Sequence, residues 1–171
     1  CVVNGACPVP PVASTIAAAD GTTRSPRGAA IARTPLRSDV RTLTVRFYED
    51  AWNRADESAA RAILSPSVRF KGTLSEASEG PESVLRYMRG TRAVLKGFRC
   101  IIDDLVVEEP RAAARLTFTG EHVGTLLGVP ATGRQVTWSG AGFFTAARGR
   151  LSEIWVVGDI EGLRAQLHAK T

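Results

Sequence analysis

The stretch HVGTLLGVPATGR, residues 122–134, separates two segments with the pattern of β-strands. The segment before it, residues 112–122, alternates small or apolar side chains with polar ones, and the segment after it covers residues 134–146. Glycine and proline interrupt the stretch itself, as is typical of a turn. Two further strand-like segments, residues 98–107 and 151–157, lie on either side. Four consecutive strands of this kind predict an antiparallel sheet.

Most of the remaining chain has the periodicity of helices. Val40, Leu43 and Phe47 recur at helical spacing after Ser38, a suitable N-cap, and predict a long first helix with Trp52 beside its buried face. Helices first and antiparallel strands afterwards predict an α+β fold, in which the sheet curls around the helices and leaves a pocket on its concave face. The other predicted elements are a helix after Asp56, a short strand over residues 68–71, a helix from Gly80-Pro81 and a last helix capped by Asp159.

The first 37 residues differ in composition from the rest of the chain. Residues 1–35 contain five of the nine prolines and many Ala, Ser, Thr and Gly residues, without helical or strand periodicity. Such a segment cannot bury enough apolar surface to offset the entropy lost on ordering. We therefore predict a flexible extension over residues 1–37 and a single domain over residues 38–171.

The net charge of +5 does not indicate a nucleic-acid-binding protein. Residues 1–37 hold four Arg and one Asp, so the remaining residues carry a net charge of only +2, without a cluster of Lys and Arg among aromatic residues. No apolar run reaches the length of a membrane span. Cys1, Cys7 and Cys100 are too far apart for a zinc site or a disulfide framework. We therefore expect no nucleic acid, membrane or metal as a partner, and a cytoplasmic location.

Residues 122–134, together with the segment GRLSEIW at residues 149–155, resemble the SnoaL-like polyketide cyclases of the nuclear transport factor 2 and ketosteroid isomerase superfamily. The resemblance covers residues 38–167. It implies a cone-shaped, curved antiparallel sheet wrapped around a long N-terminal helix and two further helices. It also implies a small-molecule cavity inside the cone, no cofactor, and an enzyme of polyketide-type natural-product biosynthesis, such as the biosynthesis of an antibiotic.

Positions that carry acid/base chemistry in this family are changed in the present sequence. The cyclases usually have Asp or Glu at the position of Val156, and some have His at the position of Gly142. Phe70 stands where relatives often carry Asn or His. Deprotonation of a carbon acid needs a positioned base of suitable pKa, so these changes favour a mechanism other than the usual intramolecular aldol reaction.

His122 is the candidate catalytic residue that remains. At the wide end of a pocket, a histidine can act as a general base, donate a hydrogen bond to a substrate carbonyl, or gate the entrance. A structural role, in which the ring hydrogen-bonds to the following turn, is equally favoured.

Alternation along the strands predicts which side chains face the cavity. Phe118 shares a face with His122 on one strand, and Trp138, Gly142 and Phe144 share a face on the next. By resemblance to the family, Trp52 and Tyr87 lie near positions that shape substrate placement. The predicted substrate-binding residues are Trp52, Phe70, Tyr87, Phe118, Trp138, Gly142, Phe144 and Val156.

Two functions are favoured by such an aromatic pocket, and a third, that of a cofactor-independent oxygenase-like member of the same family, is left open because no residue selects it. The first is a cyclase or isomerase, of the isomerase or lyase type, that holds a largely apolar substrate in a reactive conformation, with His122 and Tyr87 as polar contacts. The second is a non-catalytic small-molecule-binding or interaction module that kept the fold and lost the acid/base residues. In either case the outward-facing Phe143, Trp155 and Val157 form an apolar patch that predicts a homodimer.

Overall fold

The structure, a computed structural model, describes residues 39–169. The predicted extension, residues 1–37, and the predicted N-cap Ser38 lie outside the described residues. The helices are α1 (Val40–Arg46), which continues as a π-helical segment (Phe47–Asn53), α2 (Glu57–Ile63), α3 (Pro81–Val94) and α4 (Ile160–His168). The strands are β1 (Leu64–Lys71), β2 (Ser78–Glu79), β3 (Leu95–Glu108), β4 (Arg111–His122), β5 (Gln135–Ala147) and β6 (Arg150–Gly158).

The six strands form one curved sheet that does not close, in the order β2-β1-β6-β5-β4-β3. The strands from β3 to β6 form an antiparallel meander, as the sequence predicts. β1 pairs in parallel with β6, with Phe70 beside Ile154, which the strand pattern did not predict. α1 contacts β3, β4, β5 and β6, so the sheet wraps around the first helix. The expected α+β fold is therefore confirmed.

The first helix is capped by Asp39, so the prediction of Ser38 as its N-cap is wrong by one residue. Its Oδ1 atom accepts a hydrogen bond from the backbone N–H of Thr42 at 2.7 Å, which satisfies one of the free donors of the first turn. From Phe47 the backbone continues as a π-helix, in which hydrogen bonds join residues five apart and the turns are wider than in an α-helix. The wider turns allow the adjacent residues Phe47 and Tyr48 to be buried together with Trp52.

The connection between β4 and β5 folds back towards the end of α3. The backbone N–H groups of Val123 and Gly124 both donate to the carbonyl of Val94. A Cβ atom on Gly124 would lie 3.0 Å from the Cα atom of Val94, so the absence of a side chain permits this approach. At the tip of the connection, Leu126 and Val129 exchange two backbone hydrogen bonds, and Leu126 lines the interior cavity. The stretch that separates the two strands is therefore also part of the cavity wall.

Candidate functional site

A cavity of about 240 Å³ lies between the helices and the concave face of the sheet. Its walls come from the π-helical segment, from α3 and α4, and from the inward-facing residues of β1 and of β3 to β6. Small-molecule sites typically measure roughly 300–1,000 Å³, so this cavity suits a compact ligand. Leu74 lines the cavity although its side chain is 45 % exposed, which places the opening beside this residue.

Six of the eight predicted substrate-binding residues line the cavity. Gly142 and Phe144 do not, because both pack against Tyr48, whose side chain takes the adjoining part of the cavity wall. Substrate binding by any of the eight residues stays a prediction. The six that line the cavity are Trp52, Phe70, Tyr87, Phe118, Trp138 and Val156.

Aromatic rings in contact with one another make up much of the wall. Rings at centroid separations of about 4.5–7 Å attract one another in tilted and edge-on arrangements, and each contact restricts the rotation of both rings. Because the rings belong to different elements, these contacts fix the shape of the cavity. Among pairs in which both rings line the cavity, the shortest centroid distances are 5.1 Å for Trp52 and Phe98, 5.2 Å for Phe70 and Tyr87, and 5.4 Å for Phe118 and Trp138.

The described residues that line the cavity include no Asp, Glu, His, Lys or Arg. The titratable groups among them are the hydroxyl groups of Tyr48 and Tyr87 and the thiol of Cys100. Burial raises the pKa of Tyr87, and it raises the pKa values of Tyr48 and Cys100 well above their ordinary range. Because all three groups are neutral when protonated, raised pKa values keep them uncharged at neutral pH. This wall can therefore offer hydrogen bonds, but it carries no ionic charge.

Tyr48 is a cavity residue that the sequence interpretation missed. Its side chain is buried, it lines the cavity, and its Oη atom has no hydrogen-bond partner in the described part of the chain. A Cβ atom on Gly142 would lie only 2.7 Å from this Oη atom. The phenol therefore occupies the space that a side chain at position 142 would need.

A weak signal for Tyr48 was present in the sequence. Tyr48 precedes Trp52 by four residues, and residues at this spacing lie on one face of a helix. The apolar spacing through Phe47 and Ala51 instead predicts that the neighbouring face of the helix is the buried one. In the π-helical segment both faces are buried, which an interpretation based on α-helical periodicity does not anticipate.

His122 is fully buried at the end of β4, but it is not among the residues that line the cavity. Its Nδ1 atom lies 2.9 Å from Oγ1 of Thr132 and accepts a hydrogen bond from the backbone N–H of Thr132 at 3.3 Å. An Nδ1 atom that accepts this bond places the proton of the neutral ring on Nε2. Nε2 is buried and has no partner within residues 39–169. The ring is thus anchored to the turn that follows β4, and Nε2 is the atom left for another contact.

Two polar side chains lie close to the opening of the cavity. Tyr87 Oη accepts a hydrogen bond from the backbone N–H of Leu74 at 3.5 Å, and Thr73 Oγ1 donates to the carbonyl of Val156 at 3.4 Å. A Cβ atom on Gly72 would lie 2.5 Å from the ring of Tyr87, so the chain before the opening passes directly over this ring. Tyr87 and Thr73 therefore have partners in the protein, in contrast to Tyr48.

Within residues 39–169, no group of three or more His, Cys, Asp or Glu side chains is arranged to hold a metal ion. No helix there is long and apolar enough to cross a membrane.

Three solved structures resemble this cone and share at least 25% sequence identity with the chain. TsrD from Streptomyces laurentii is 32% identical, over 77% of this chain and 96% of that chain, with a TM-score of 0.67. IdmH from Streptomyces antibioticus, a candidate polyketide cyclase, is 25% identical over 75% and 98% of the two chains, with a TM-score of 0.67. AclR from Streptomyces galilaeus, a candidate hydroxylase, is 26% identical over 74% and 93%, with a TM-score of 0.64.

The comparison with protein families gives a match that spans nearly all of the described residues. The profile of the family described as SnoaL-like polyketide cyclase matches residues 42–167. No curated protein matches the sequence. The family match covers the sheet, all but the outer ends of the first and last helices, and every residue that lines the cavity. The chain belongs to the SnoaL-like polyketide cyclase family.

Proposed function

We propose that this protein is a cyclase or isomerase of polyketide-type natural-product biosynthesis that acts on a largely apolar substrate inside the cone cavity. The observation that carries the proposal is the aromatic, uncharged wall described above, within a fold whose family is that of polyketide cyclases. Such a wall favours a ligand with ring or polyene character, because flat apolar surfaces gain most from contact with fixed aromatic rings.

Catalysis in this proposal rests mainly on the conformation of the bound substrate. Holding reacting groups in a near-attack geometry contributes up to about 7–11 kcal/mol in favourable cases. A rigid wall supplies such selection without a charged group, since only folded conformers of the right shape fit. The described lining residues offer no carboxylate or imidazole that removes a proton from carbon. The reaction is therefore one in which the substrate is already reactive and the protein selects the folded conformation of the substrate.

His122 takes part in this proposal through its Nε2 atom. The Nδ1 atom is committed to Thr132, so Nε2 is the ring atom that can donate to a substrate oxygen. Because the residue lies behind the wall, this role requires that the ligand or the β4–β5 connection brings an acceptor to Nε2. Leu126 belongs to the same connection and lines the cavity, so movement of this connection would couple His122 to the contents of the cavity.

A second candidate is a binding module without catalytic activity. Val156 and Gly142, at positions where relatives carry acid/base residues, favour this alternative as directly as they favour a changed mechanism. The two functions make the same prediction for ligand binding. They differ in whether the bound substrate is converted.

The test measures conversion of uncyclised poly-β-ketone esters by liquid chromatography and mass spectrometry, with and without protein. The key variant is Val156→Phe, which fills the cavity, and its matched control is Val157→Phe. Val157 is the next residue on β6, faces outward and is 42 % exposed. We expect faster conversion by the parent and by Val157→Phe than in buffer, and loss of this acceleration in Val156→Phe. Binding without any acceleration would instead support the binding module.

A further inference from the structure

We propose that Tyr48 is a specificity-determining residue of the cavity, and that its hydroxyl group donates a hydrogen bond to an uncharged carbonyl oxygen of the ligand. The proposal deepens the function proposed above, because it concerns the same cavity and names the chemical group that the cavity selects. It assigns to the ligand one ketone-type oxygen that lies within hydrogen-bond distance of Tyr48 Oη when the ligand is bound.

The unpaired Oη atom of Tyr48 is the first observation behind this proposal. The atom is buried, and none of the described residues accepts its proton or donates to it. An unpaired hydroxyl group in an apolar surrounding is unfavourable, and a ligand that supplies an acceptor removes this penalty. A ligand of the same shape without the oxygen leaves the penalty in place, which is how a buried polar group discriminates between two ligands.

The packing around the ring is the second observation. The ring of Tyr48 contacts Phe47 at a centroid distance of 5.3 Å and Phe144 at 5.7 Å, both edge-on. Oη lies over Gly142 and fills the space that a side chain there would need. The donor is therefore held in one position before the ligand arrives, so little rotational freedom is lost on binding.

The charge of the surroundings decides which kind of oxygen is selected. A carboxylate would lose its hydration in the cavity and would find no Lys, Arg or His among the described lining residues. A ketone has a much smaller hydration cost and needs only one donor. The protonated phenol supplies this donor at neutral pH, because burial raises the pKa of Tyr48. The selected group is thus a neutral carbonyl rather than an acid.

The test compares three naphthalenes substituted at the β position, namely acetylnaphthalene, ethylnaphthalene and naphthoate. They share one ring system and differ in the polar group, which is a ketone, a hydrocarbon or a carboxylate. Binding to the parent protein and to Tyr48→Phe is measured by isothermal titration calorimetry at neutral pH. We expect the parent to bind the ketone about fivefold to tenfold more tightly than the hydrocarbon, and to bind the carboxylate most weakly.

In Tyr48→Phe the preference for the ketone should disappear, while the affinity for the hydrocarbon stays the same or rises. The variant is expected to fold, because it removes an unpaired hydroxyl group and keeps the ring, and its thermal midpoint provides the control. Equal affinity of the parent for ketone and hydrocarbon would overturn the role of Tyr48 while leaving the proposed apolar substrate intact. Failure of the parent to bind any of the three ligands would overturn the proposed function as well.

Discussion

Gly142→Ala adds one methyl group at the point where β5 meets Tyr48, and the structure predicts its cost. The new Cβ atom would lie 2.7 Å from Tyr48 Oη, and 2.9 and 3.1 Å from two ring carbons of Phe144. Carbon atoms pack at about 3.5–4.0 Å, so at least one of the two rings has to move. Both rings are buried and in contact with each other, so neither can move without displacing its neighbours.

Overpacking of this kind typically costs about 1–3 kcal/mol of the free energy of unfolding. The substitution also lowers the conformational entropy of the unfolded chain, which offsets about 0.4–1 kcal/mol of this cost. We therefore expect Gly142→Ala to lower the free energy of unfolding by about 1–2 kcal/mol, measured by urea denaturation. The matched control is Gly90→Ala in α3, where a Cβ atom meets nothing within 4 Å. That change should stabilise the protein by about 0.5–1 kcal/mol.

A double-mutant cycle with Tyr48→Phe separates the contact with Oη from the contacts with Phe144. Tyr48→Phe removes the atom nearest to the new methyl group, whereas the contacts with Phe144 remain. The cost of Gly142→Ala should therefore be smaller in this background, by about 0.5 kcal/mol or more. If Gly142→Ala is as well tolerated as Gly90→Ala, or if its cost is the same in both backgrounds, the packing of Tyr48 over position 142 is wrong.

Four further predictions follow from the site and the outer surface. His122→Asn keeps an acceptor near Thr132 but removes Nε2, so we expect normal stability and reduced product formation. His122→Gln should instead show reduced stability and normal product formation. Full activity in His122→Asn would exclude a role for Nε2. Val156→Asp should not raise product formation, because a carboxyl group in this wall loses hydration and stays protonated. Product formation should be flat from about pH 6 to pH 9, because raised pKa values keep the phenols and the thiol protonated in the folded protein. The free energy of unfolding should fall at more alkaline pH, because these groups ionise in the unfolded chain before they ionise in the folded one. A fall in product formation on the acid side would contradict this and would indicate a group such as a histidine. We also propose a homodimer through the exposed rings of Phe143 and Trp155, 6.4 Å apart, so that sedimentation should show a dimer for the parent and a monomer for Trp155→Glu; a monomeric parent would contradict this.

Local patterns in the sequence were sufficient for most of the fold and for much of the cavity wall. The helix after Asp56 and the cap Asp159 were predicted, and both Asp side chains accept a backbone hydrogen bond from the first turn of their helices. Strand alternation also placed Phe118 and Trp138 on the concave face, where they are now seen. These features depend on residues close together in sequence, so periodicity and capping chemistry are enough to predict them.

Features that depend on contacts distant in sequence could not be predicted in the same way. The parallel pairing of β1 with β6 and the burial of Tyr48 both arise from packing across the whole domain. Gly142 and Phe144 were correctly assigned to the inner face of β5, but the ring of Tyr48 packs over them. Alternation gives the face of a strand, but it does not tell which side chain from another element covers that face.

The position of Tyr48 connects the two sites, Gly142 and Val156, at which this sequence lacks acid/base residues that its relatives carry. The absent side chain at position 142 leaves the space that the phenol occupies, so the polar group at this point of the wall comes from the helix instead of the strand. A carboxylate at position 156 would face the same uncharged wall and would be poorly solvated there. The neutral hydroxyl group of Tyr48 and the apolar side chain of Val156 can share one uncharged wall. A carboxylate at position 156 would be a buried anion in that wall. In such low-dielectric surroundings a single neutral hydrogen bond is stronger than in water, so Tyr48 can polarise a carbonyl without any charged partner. We therefore expect the chemistry of this cavity to depend on the placement of one substrate oxygen rather than on proton transfer by the protein.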